Sequence, residues 1–317
     1  MSDRGERAAP RTGVLVMAYG TPRQADEIEP YYTDIRRGRP PTPELLADLV
    51  RRYEAIGGLS PLAQRTEAQR AAIQRALDAV EPGRYEVALG LKHAAPSIED
   101  GLRGLTRGGA AGIEQVVGLV LAPHYSAFSV GQYLERAEAA GAAEGVAVTG
   151  IRSWHLEPAY VEFLVAAVRR QLADLPTATT VLFTAHSLPE RILATGDPYA
   201  ERLRATAAAV AERAGLPAST WDVAWQSAGR TPEPWLGPDV LAAVDGLADR
   251  GDVDGVLVCA CGFVADHLEV LYDLDIEART RAVGRGLAFA RTACVNDDRE
   301  VMTALAGLVV DRVAAPR

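Results

Sequence analysis

The run Gly13-Val-Leu-Val-Met-Ala-Tyr19 decides the fold class of this chain. It is continuously apolar, which is typical of a parallel strand covered by helices on both faces. A second run, Gly255-Val-Leu-Val-Cys-Ala260, repeats the pattern near the other end of the chain. Between such runs lie longer stretches of helical periodicity, for example Pro61–Val80 and Pro158–Leu175. This alternation predicts an α/β protein made of doubly wound units.

The predicted strands suggest two domains. The apolar runs read as strands are Gly13–Tyr19, Tyr85–Leu91, Gln115–Leu121, Gly145–Ile151, Thr180–Ala185, Trp221–Trp225 and Gly255–Cys259. A chain of 317 residues is long enough for two such units. We expect an N-terminal domain over 12–155 and a C-terminal domain over 156–295. A last helix at about 296–317 is expected to pack back on the first domain.

Composition and charge restrict the class of protein. With 48% hydrophobic and 24% charged residues the chain falls within the globular range, and its net charge of −9 argues against nucleic-acid binding. Only 3 cysteines are present, which favours a reducing cytoplasm over a disulfide framework. The start, Met1 to Arg11, is polar and unlike a signal peptide. Because no apolar run approaches the roughly 18 residues of a membrane span, we expect a cytoplasmic protein without a membrane segment.

Histidines follow several predicted strands. In open α/β sheets, ligands bind beyond the carboxyl ends of the strands. Four of the five histidines lie at or just beyond such ends, and these are His93, His124, His186 and His267. If all four converge on one rim, they form a site; a single histidine there is more often structural.

Sequence motifs for nucleotide and ester chemistry are missing. The chain has no Gly-x-x-x-x-Gly-Lys-Ser/Thr loop, no Gly-x-Gly-x-x-Gly after a strand and no Gly-x-Ser-x-Gly elbow. Their absence argues against ATP, NAD and esterase chemistry.

The segment Asp266-His-Leu-Glu-Val-Leu-Tyr-Asp-Leu-Asp-Ile-Glu277 is the most informative. As a helix it aligns Glu269, Asp273 and Glu277 along one face. Like charges at this spacing are mildly destabilising, so the arrangement has a cost. Two interpretations stay open: a solvated acidic face, or a row of oxygen ligands that passes a divalent cation inward. In the second case His186 would complete a mixed nitrogen and oxygen site suited to Fe²⁺.

These residues match a known family. The matching segments, in chain order, are Met17-Ala-Tyr-Gly-Thr-Pro22, Tyr31-Tyr-Thr-Asp-Ile-Arg-Arg-Gly-Arg39, Arg52-Tyr-Glu-Ala-Ile-Gly-Gly-Leu-Ser-Pro-Leu62, Gly90-Leu-Lys-His93, Ala122-Pro-His-Tyr-Ser-Ala-Phe-Ser-Val-Gly-Gln-Tyr133, Ala185-His-Ser-Leu-Pro189, Gly196-Asp-Pro-Tyr199, Trp225-Gln-Ser-Ala-Gly-Arg230 and Phe263-Val-Ala-Asp-His-Leu-Glu-Val-Leu-Tyr-Asp273. The chain resembles the ferrochelatases, specifically the coproporphyrin type of Gram-positive and actinobacterial haem synthesis. The resemblance implies two Rossmann-like domains with parallel four-stranded sheets, and a porphyrin cleft between them.

The resemblance also implies roles for individual residues. His186 and Glu269 match the metal-binding and catalytic pair, and Tyr19 matches a tyrosine that contacts the ring centre from the opposite side. Asp273 and Glu277 match an acidic ridge behind the glutamate, so they join the expected metal ligands. Positions that line the porphyrin and its carboxylates are matched by Arg36, Arg52, Tyr53, Ser60 and Tyr133. How His186 and Glu269 divide proton acceptance and metal binding stays open.

The implied reaction is insertion of Fe²⁺ into coproporphyrin III, giving coproheme. Coproporphyrin carries four propionates, and Arg36, Arg37 and Arg39 can bind carboxylates in bidentate fashion or form only a solvated basic turn. The alternatives are a protoporphyrin IX ferrochelatase, a cobalt chelatase of the same fold, or a non-catalytic porphyrin or haem carrier. We expect a monomer without nucleic-acid or membrane partners, acting between a porphyrin oxidase and a coproheme decarboxylase.

No tightly bound cofactor is expected, and Fe²⁺ is a substrate. Some actinobacterial relatives hold a [2Fe–2S] cluster on four cysteines, whereas this chain has three, Cys259, Cys261 and Cys294. Because such clusters usually need four thiolates, we expect small buried core residues instead.

Overall fold

A computed structural model describes residues 11–108, 112–229 and 231–315 of the chain. The polar start up to residue 10, Arg230 of the quoted motif and the last two residues of the expected C-terminal helix lie outside these ranges. In the described part, none of the helices combines the length and the apolar character needed to cross a bilayer.

The first sheet is built from the N-terminal half of the chain. Its strands are β1 (Arg11–Ala18), β2 (Tyr85–Leu91), β3 (Ile113–Val120) and β4 (Ala147–Ile151). They pair in parallel in the order β2-β1-β3-β4, with Val14 opposite Val87 on one side and Val117 on the other. Seven of the eight residues of β1 are buried, which explains its continuous apolar pattern.

The second sheet repeats this arrangement in the C-terminal half. Its strands are β5 (Thr179–His186), β6 (Trp221–Gln226), β7 (Gly255–Cys259) and β8 (Ala288–Arg291). All pair in parallel, in the order β6-β5-β7-β8. The predicted α/β class with two parallel four-stranded sheets is confirmed. The sequence pattern missed β8, because this edge strand has four residues of which only Phe289 is fully buried.

Helices cover both sheets. Their bounds are α1 (Ile28–Ile35), α2 (Pro43–Ala55), α3 (Leu62–Val80), α4 (Ile98–Arg103), α5 (Gln132–Glu144), α6 (Pro158–Leu172), α7 (Arg191–Ala194), α8 (Tyr199–Ala214), α9 (Val240–Arg250), α10 (Arg279–Gly284) and α11 (Arg299–Ala314). Wider π-helical turns occur at Gly104–Gly108, Ala127–Gly131 and Val270–Ala278, and short 3₁₀ turns at Ala25–Glu27 and Ala218–Thr220. The C-terminal helix α11 packs against α3, so the last element of the chain contacts the first half.

The two halves share one apolar core. Buried residues of α3, β1, α6, β5 and α11 belong to a single cluster, which includes Ile73, Val14, Tyr160, Phe183 and Leu305. This packing holds the carboxyl ends of both sheets in a defined relation. The boundary at 155/156 stays a prediction.

Candidate active site

His186 is the last residue of β5, and its imidazole is oriented by its own backbone. Nδ1–H donates a hydrogen bond to the carbonyl of Ser187. In the neutral imidazole the lone pair is therefore on Nε2, which lies 3.6 Å from Oε1 of Glu269. At this distance the two atoms are in electrostatic contact without a direct hydrogen bond, and they form an ion pair when the imidazole is protonated. The geometry presents one nitrogen and one carboxylate oxygen side by side.

Glu269 lies between two histidines. Its other oxygen, Oε2, is 3.5 Å from Nε2 of His267, and Nδ1–H of His267 donates to the carbonyl of Ala265 at 3.0 Å. Both imidazoles thus direct Nε2 at the same carboxylate. His267 is not among the predicted site residues, although it lies only two positions before Glu269 in the segment Asp266–Glu277. The pattern Asp266-His-Leu-Glu269 was the available signal.

The charges of these three groups depend on each other. Burial raises the pKa of Glu269, but His186 and His267 outweigh it and bring that pKa well below its ordinary value. Burial lowers the pKa of His186. The carboxylate of Glu269 and the hydrogen bond to the Ser187 carbonyl outweigh this effect, so the pKa of His186 is raised above its ordinary value. The carboxylate is therefore anionic at neutral pH. A permanent negative charge beside an imidazole nitrogen is suited to a divalent cation.

The acidic stripe leads away from this pair along a π-helical turn. Asp273 is only 6% exposed, so it is not part of a solvated acidic face. Burial, together with the charge of Glu269, raises the pKa of Asp273 to about 7, although a hydrogen bond from Ser227 and the charge of Arg52 act against this rise. Glu277 borders an open pocket of about 570 Å³. The stripe therefore runs from the site, through a buried carboxyl group, to a surface pocket.

The π-helical geometry modifies the expected helix. The segment was predicted as an α-helix, but Val270–Ala278 forms π-type turns. Such turns are rare in proteins, and those that occur are often found at functional sites. Within the described residues no three His, Cys, Asp or Glu side chains make a closed cage for an ion. The histidine–glutamate pair is accordingly an open site, with carboxyl groups arranged in series behind it.

Tyr19 comes from the other sheet. It follows β1 and is 41% exposed, with its ring 4.6 Å from that of His93 and 6.5 Å from that of Tyr31. Burial of its hydroxyl and the charge of Glu269 raise the pKa of Tyr19 well above its ordinary value. Burial and Glu269 also raise the pKa of Tyr53. Both tyrosines thus lie within electrostatic reach of Glu269, on the opposite half of the chain.

The predicted porphyrin-lining residues divide into two groups. Tyr53, Ser60 and Tyr133 are buried, and the hydroxyl oxygen of Ser60 accepts from the backbone N–H of Leu62. Arg52 instead contacts the acidic stripe, 3.5 Å from Asp273, and stacks over Tyr272. Its guanidinium therefore reaches the acidic stripe of the second half.

Arg36 lies in the turn after α1. Its Nε–H donates to the carbonyl of Arg39, and Nε–H of Arg39 donates back to the carbonyl of Arg36, both at 3.2 Å. Neither guanidinium meets a carboxylate among the described residues, so both can bind an external anion. Tyr133 lies beneath Lys92, whose Nζ is 5.1 Å from the ring centroid.

The strand-end pattern allowed all four histidines to converge on one site, but in the structure they do not. His124 is 2% exposed and bonds to Thr206 at 2.9 Å. Thr206 uses its single hydroxyl hydrogen on the carbonyl of His155, so Nε2–H of His124 is the donor. His93 pairs with Asp34 at 2.6 Å on the Tyr19 side. Only His186 and His267 meet at Glu269.

The cysteines do not fit a four-thiolate cluster. All three are buried, and burial raises the pKa of the Cys261 and Cys294 thiols. Cys261 donates to the carbonyl of Thr184, and Cys294 contacts Arg291. All three side chains pack within the apolar core clusters as small residues.

Comparison with known proteins decides the family. The ferrochelatase family model matches residues 11–313. The chain belongs to the ferrochelatase family. The resemblance inferred from the motifs is confirmed.

Curated members of this family are similar over their whole lengths. A coproporphyrin III ferrochelatase of Halalkalibacterium halodurans is 42% identical over 308 residues, covering 96% of this chain and 98% of that protein. One of Bacillus subtilis is 43% identical, with 96% and 98% covered. A ferrochelatase of Herpetosiphon aurantiacus is 43% identical, with 91% and 94% covered.

Solved structures with the same fold are more distant. The sirohydrochlorin chelatase SirB from Bacillus subtilis subspecies spizizenii, in complex with cobalt, has a TM-score of 0.55 at 13% identity, covering 96% of this chain and 97% of that one. CbiX, the terminal enzyme of sirohaem biosynthesis in denitrifying bacteria, has a TM-score of 0.51 at 15% identity, with 96% and 100% covered. At these identities the likeness establishes the fold alone.

Proposed function

We propose that this ferrochelatase-family enzyme inserts Fe²⁺ into coproporphyrin III to give coproheme in haem biosynthesis. The observation that carries the proposal is the pair formed by His186 Nε2 at the end of β5 and Glu269 Oε1, 3.6 Å apart and within electrostatic reach of Tyr19. Whole-length similarity to curated coproporphyrin III ferrochelatases supports the substrate.

The reaction needs a metal ligand beside a proton acceptor. A porphyrin must lose two N–H protons while the entering metal loses its water. Glu269 stays anionic between its two histidines, so it is the better candidate to hold the cation. In its neutral form His186 offers the lone pair of Nε2, because its Nδ1–H is bound to the Ser187 carbonyl, and its raised pKa makes it the better candidate to accept a pyrrole proton.

The stripe supplies the path for the metal. Glu277 borders the surface pocket, Asp273 lies buried behind it and Glu269 ends the row. We assign Glu269, Asp273 and Glu277 to metal binding. The single free lone pair of His186, which the sequence also placed among the metal ligands, cannot hold the metal and a proton at once, and we assign it to the proton. The aromatic and hydroxyl groups of Tyr19, Tyr53, Ser60 and Tyr133 are assigned to the porphyrin.

Charge favours a porphyrin with four carboxylates. Arg36 and Arg39 are without carboxylate partners among the described residues, and a guanidinium binds a carboxylate through two parallel hydrogen bonds. Arg52, which contacts Asp273 and Asp48, is also assigned to the porphyrin. We further propose a cytoplasmic monomer that receives porphyrin from an oxidase and passes coproheme to a decarboxylase.

Anaerobic Fe²⁺ insertion by the purified protein tests the function. Coproporphyrin III and protoporphyrin IX are supplied in parallel, and the porphyrin absorbance is followed. We expect turnover with coproporphyrin and at least about tenfold lower kcat/KM with protoporphyrin, because two carboxylate contacts are lost. Equal rates would contradict the substrate assignment. Binding of both porphyrins without insertion would indicate a carrier, and insertion of Co²⁺ alone would indicate a cobalt chelatase.

A further inference from the structure

Asp197 joins the two halves of the chain at the edge of the site. It precedes α8, and its Oδ2 accepts hydrogen bonds from the hydroxyl of Ser126 at 2.9 Å and from the N–H of Ala127 at 2.8 Å. Ser126 is fully buried, and its oxygen also accepts from the N–H of Phe128. These residues begin the turn that leads into α5 and Tyr133. One carboxylate oxygen therefore holds the wall of the first half.

The other oxygen of the same carboxylate acts on the second half. Oδ1 of Asp197 accepts from the N–H of Tyr199, the first residue of α8, at 3.0 Å. The hydroxyl of Tyr199 donates to the backbone carbonyl of His186, also at 3.0 Å. The Tyr199 ring is buried and lies 5.5 Å from that of Trp225 in β6. Two sets of hydrogen bonds, joined through the covalent side chain of Tyr199, thus connect Ser126 and Asp197 to the backbone of His186.

A second contact stabilises the same junction. His124, just before Ser126, donates to Thr206 on α8 at 2.9 Å. The loop after β3 is therefore attached to α8 and the residues before it at two points.

We infer that Asp197 is a positioning residue that sets the location of His186 relative to the porphyrin wall. Asp197 bonds to neither the His186 imidazole nor the Glu269 carboxylate, and it acts on His186 through Tyr199. The inference rests on the proposed role of His186. The group Ser126, Ala127, Asp197, Tyr199 and His186 is called the Asp197 link below.

The rate of insertion depends on how the His186 imidazole is aligned with the porphyrin ring. Insertion requires the imidazole nitrogen to face the ring held by the other half of the chain, and displacement by about 1 Å can reduce a rate about a hundredfold. Without the Asp197 carboxylate, the turn at Ser126 and Ala127 and the start of α8 at Tyr199 lose their common hydrogen-bond acceptor. Porphyrin still contacts Tyr19 and Tyr133, so its affinity should change less than the rate.

The first experiment compares Asp197→Ala, Asp197→Asn and Tyr199→Phe in anaerobic Fe²⁺ insertion with coproporphyrin III. We expect Asp197→Ala and Tyr199→Phe to lower kcat about tenfold or more, with the porphyrin dissociation constant, from fluorescence quenching, changed less than about threefold. Asp197→Asn, which keeps one acceptor oxygen, should recover part of kcat. A fall in the number of porphyrin sites per protein, with kcat per site unchanged, would mean a purely structural role and overturn the inference.

A mutant cycle tests the connection itself. Ser126→Ala and Tyr199→Phe should be non-additive in kcat, and neither should lower kcat further in an Asp197→Ala background. The matched control is Tyr160→Phe, which removes another buried tyrosine hydroxyl bonded to a backbone carbonyl, that of Cys261. Its effect should add to that of Asp197→Ala.

The variant His186→Ala distinguishes failure of the proposed role of His186 from failure of the Asp197 link. If this variant keeps normal insertion, the proposed role of His186 fails. If it is inactive while Asp197→Ala has normal kcat, or if the Ser126 and Tyr199 effects simply add, the Asp197 link is overturned.

Discussion

Arg52 on α2 lies 3.5 Å from Asp273, so an ion pair connects the first half of the chain to the acidic stripe of the second. The carboxyl group of Asp273 is buried and also accepts a hydrogen bond from Ser227. These contacts fix the carboxyl group of Asp273, the middle residue of the stripe between Glu269 and Glu277. The stripe is thus supported from both halves of the molecule.

Replacing the stripe should affect the metal more than the porphyrin. In the Asp273→Ala/Glu277→Ala double variant we expect the KM for Fe²⁺ to rise at least about tenfold, with the KM for coproporphyrin changed less than about threefold. Steady-state kinetics with each substrate varied in turn measures both. Glu162→Ala, which removes an acidic group paired with Arg213 on the surface and away from this pocket, is the control. Equal changes in both KM values would contradict the metal path.

His186→Ala should stop insertion while leaving porphyrin bound. Removal of Nε2 takes away the group beside Glu269, and loss of a proton acceptor costs about 10²- to 10⁴-fold in rate. Turnover and fluorescence quenching by coproporphyrin are the two readouts. His155→Ala, a histidine outside the site, is the control. Near-normal turnover in His186→Ala would reject the assignment.

His267→Ala should have a smaller effect. His267 lies 3.5 Å from Glu269 and helps to keep that carboxylate anionic, so it supports a ligand without replacing it. We expect a loss of about 10- to 100-fold in kcat/KM for Fe²⁺, typical of residues that orient a metal ligand. A loss as complete as that of His186→Ala would instead make His267 a direct participant.

Stability should fall on mild acidification because of His124. Burial, with the charges of His155 and Arg202, lowers the pKa of His124 to about 3, against an ordinary value near 6.5. Between these values the unfolded chain binds a proton that the folded chain does not. Stability is therefore lost as pH falls below about 6.5, by up to about 1.4 kcal/mol per pH unit for this histidine. Urea unfolding at pH 7 and pH 5 should show a smaller difference for His124→Gln than for the parent. An unchanged difference would contradict the assignment.

Gly262 should not tolerate a side chain. A Cβ here would lie 2.3 Å from Cβ and 2.5 Å from Cα of Ala185, next to His186. We expect Gly262→Ala to destabilise the protein by roughly 1–3 kcal/mol and to lower insertion activity. Gly246→Ala on α9, where nothing lies within 4 Å, should be neutral or stabilising by up to about 1 kcal/mol. Thermal unfolding of both variants checks the contrast.

Local patterns were sufficient for most of the fold. Continuous apolar runs such as Gly13–Tyr19 correspond to buried parallel strands, because both faces of such a strand are covered. The short edge strand Ala288–Arg291 carries no such run, so its existence depended on pairing with β7. Helical periodicity indicated a helix at Asp266–Glu277, but its π-type turns came only from the structure.

The sequence by itself determined the fold class and the family, and it predicted the pair His186 and Glu269, because apolar periodicity and ordered motifs are local properties of the chain. Only the tertiary structure decided which histidines meet, with His267 at Glu269 and His124 on Thr206. It also decided that Asp273 is buried and that Asp197 connects the halves. These relations join residues far apart in the chain, and they depend on how two sheets pack, which no local pattern encodes.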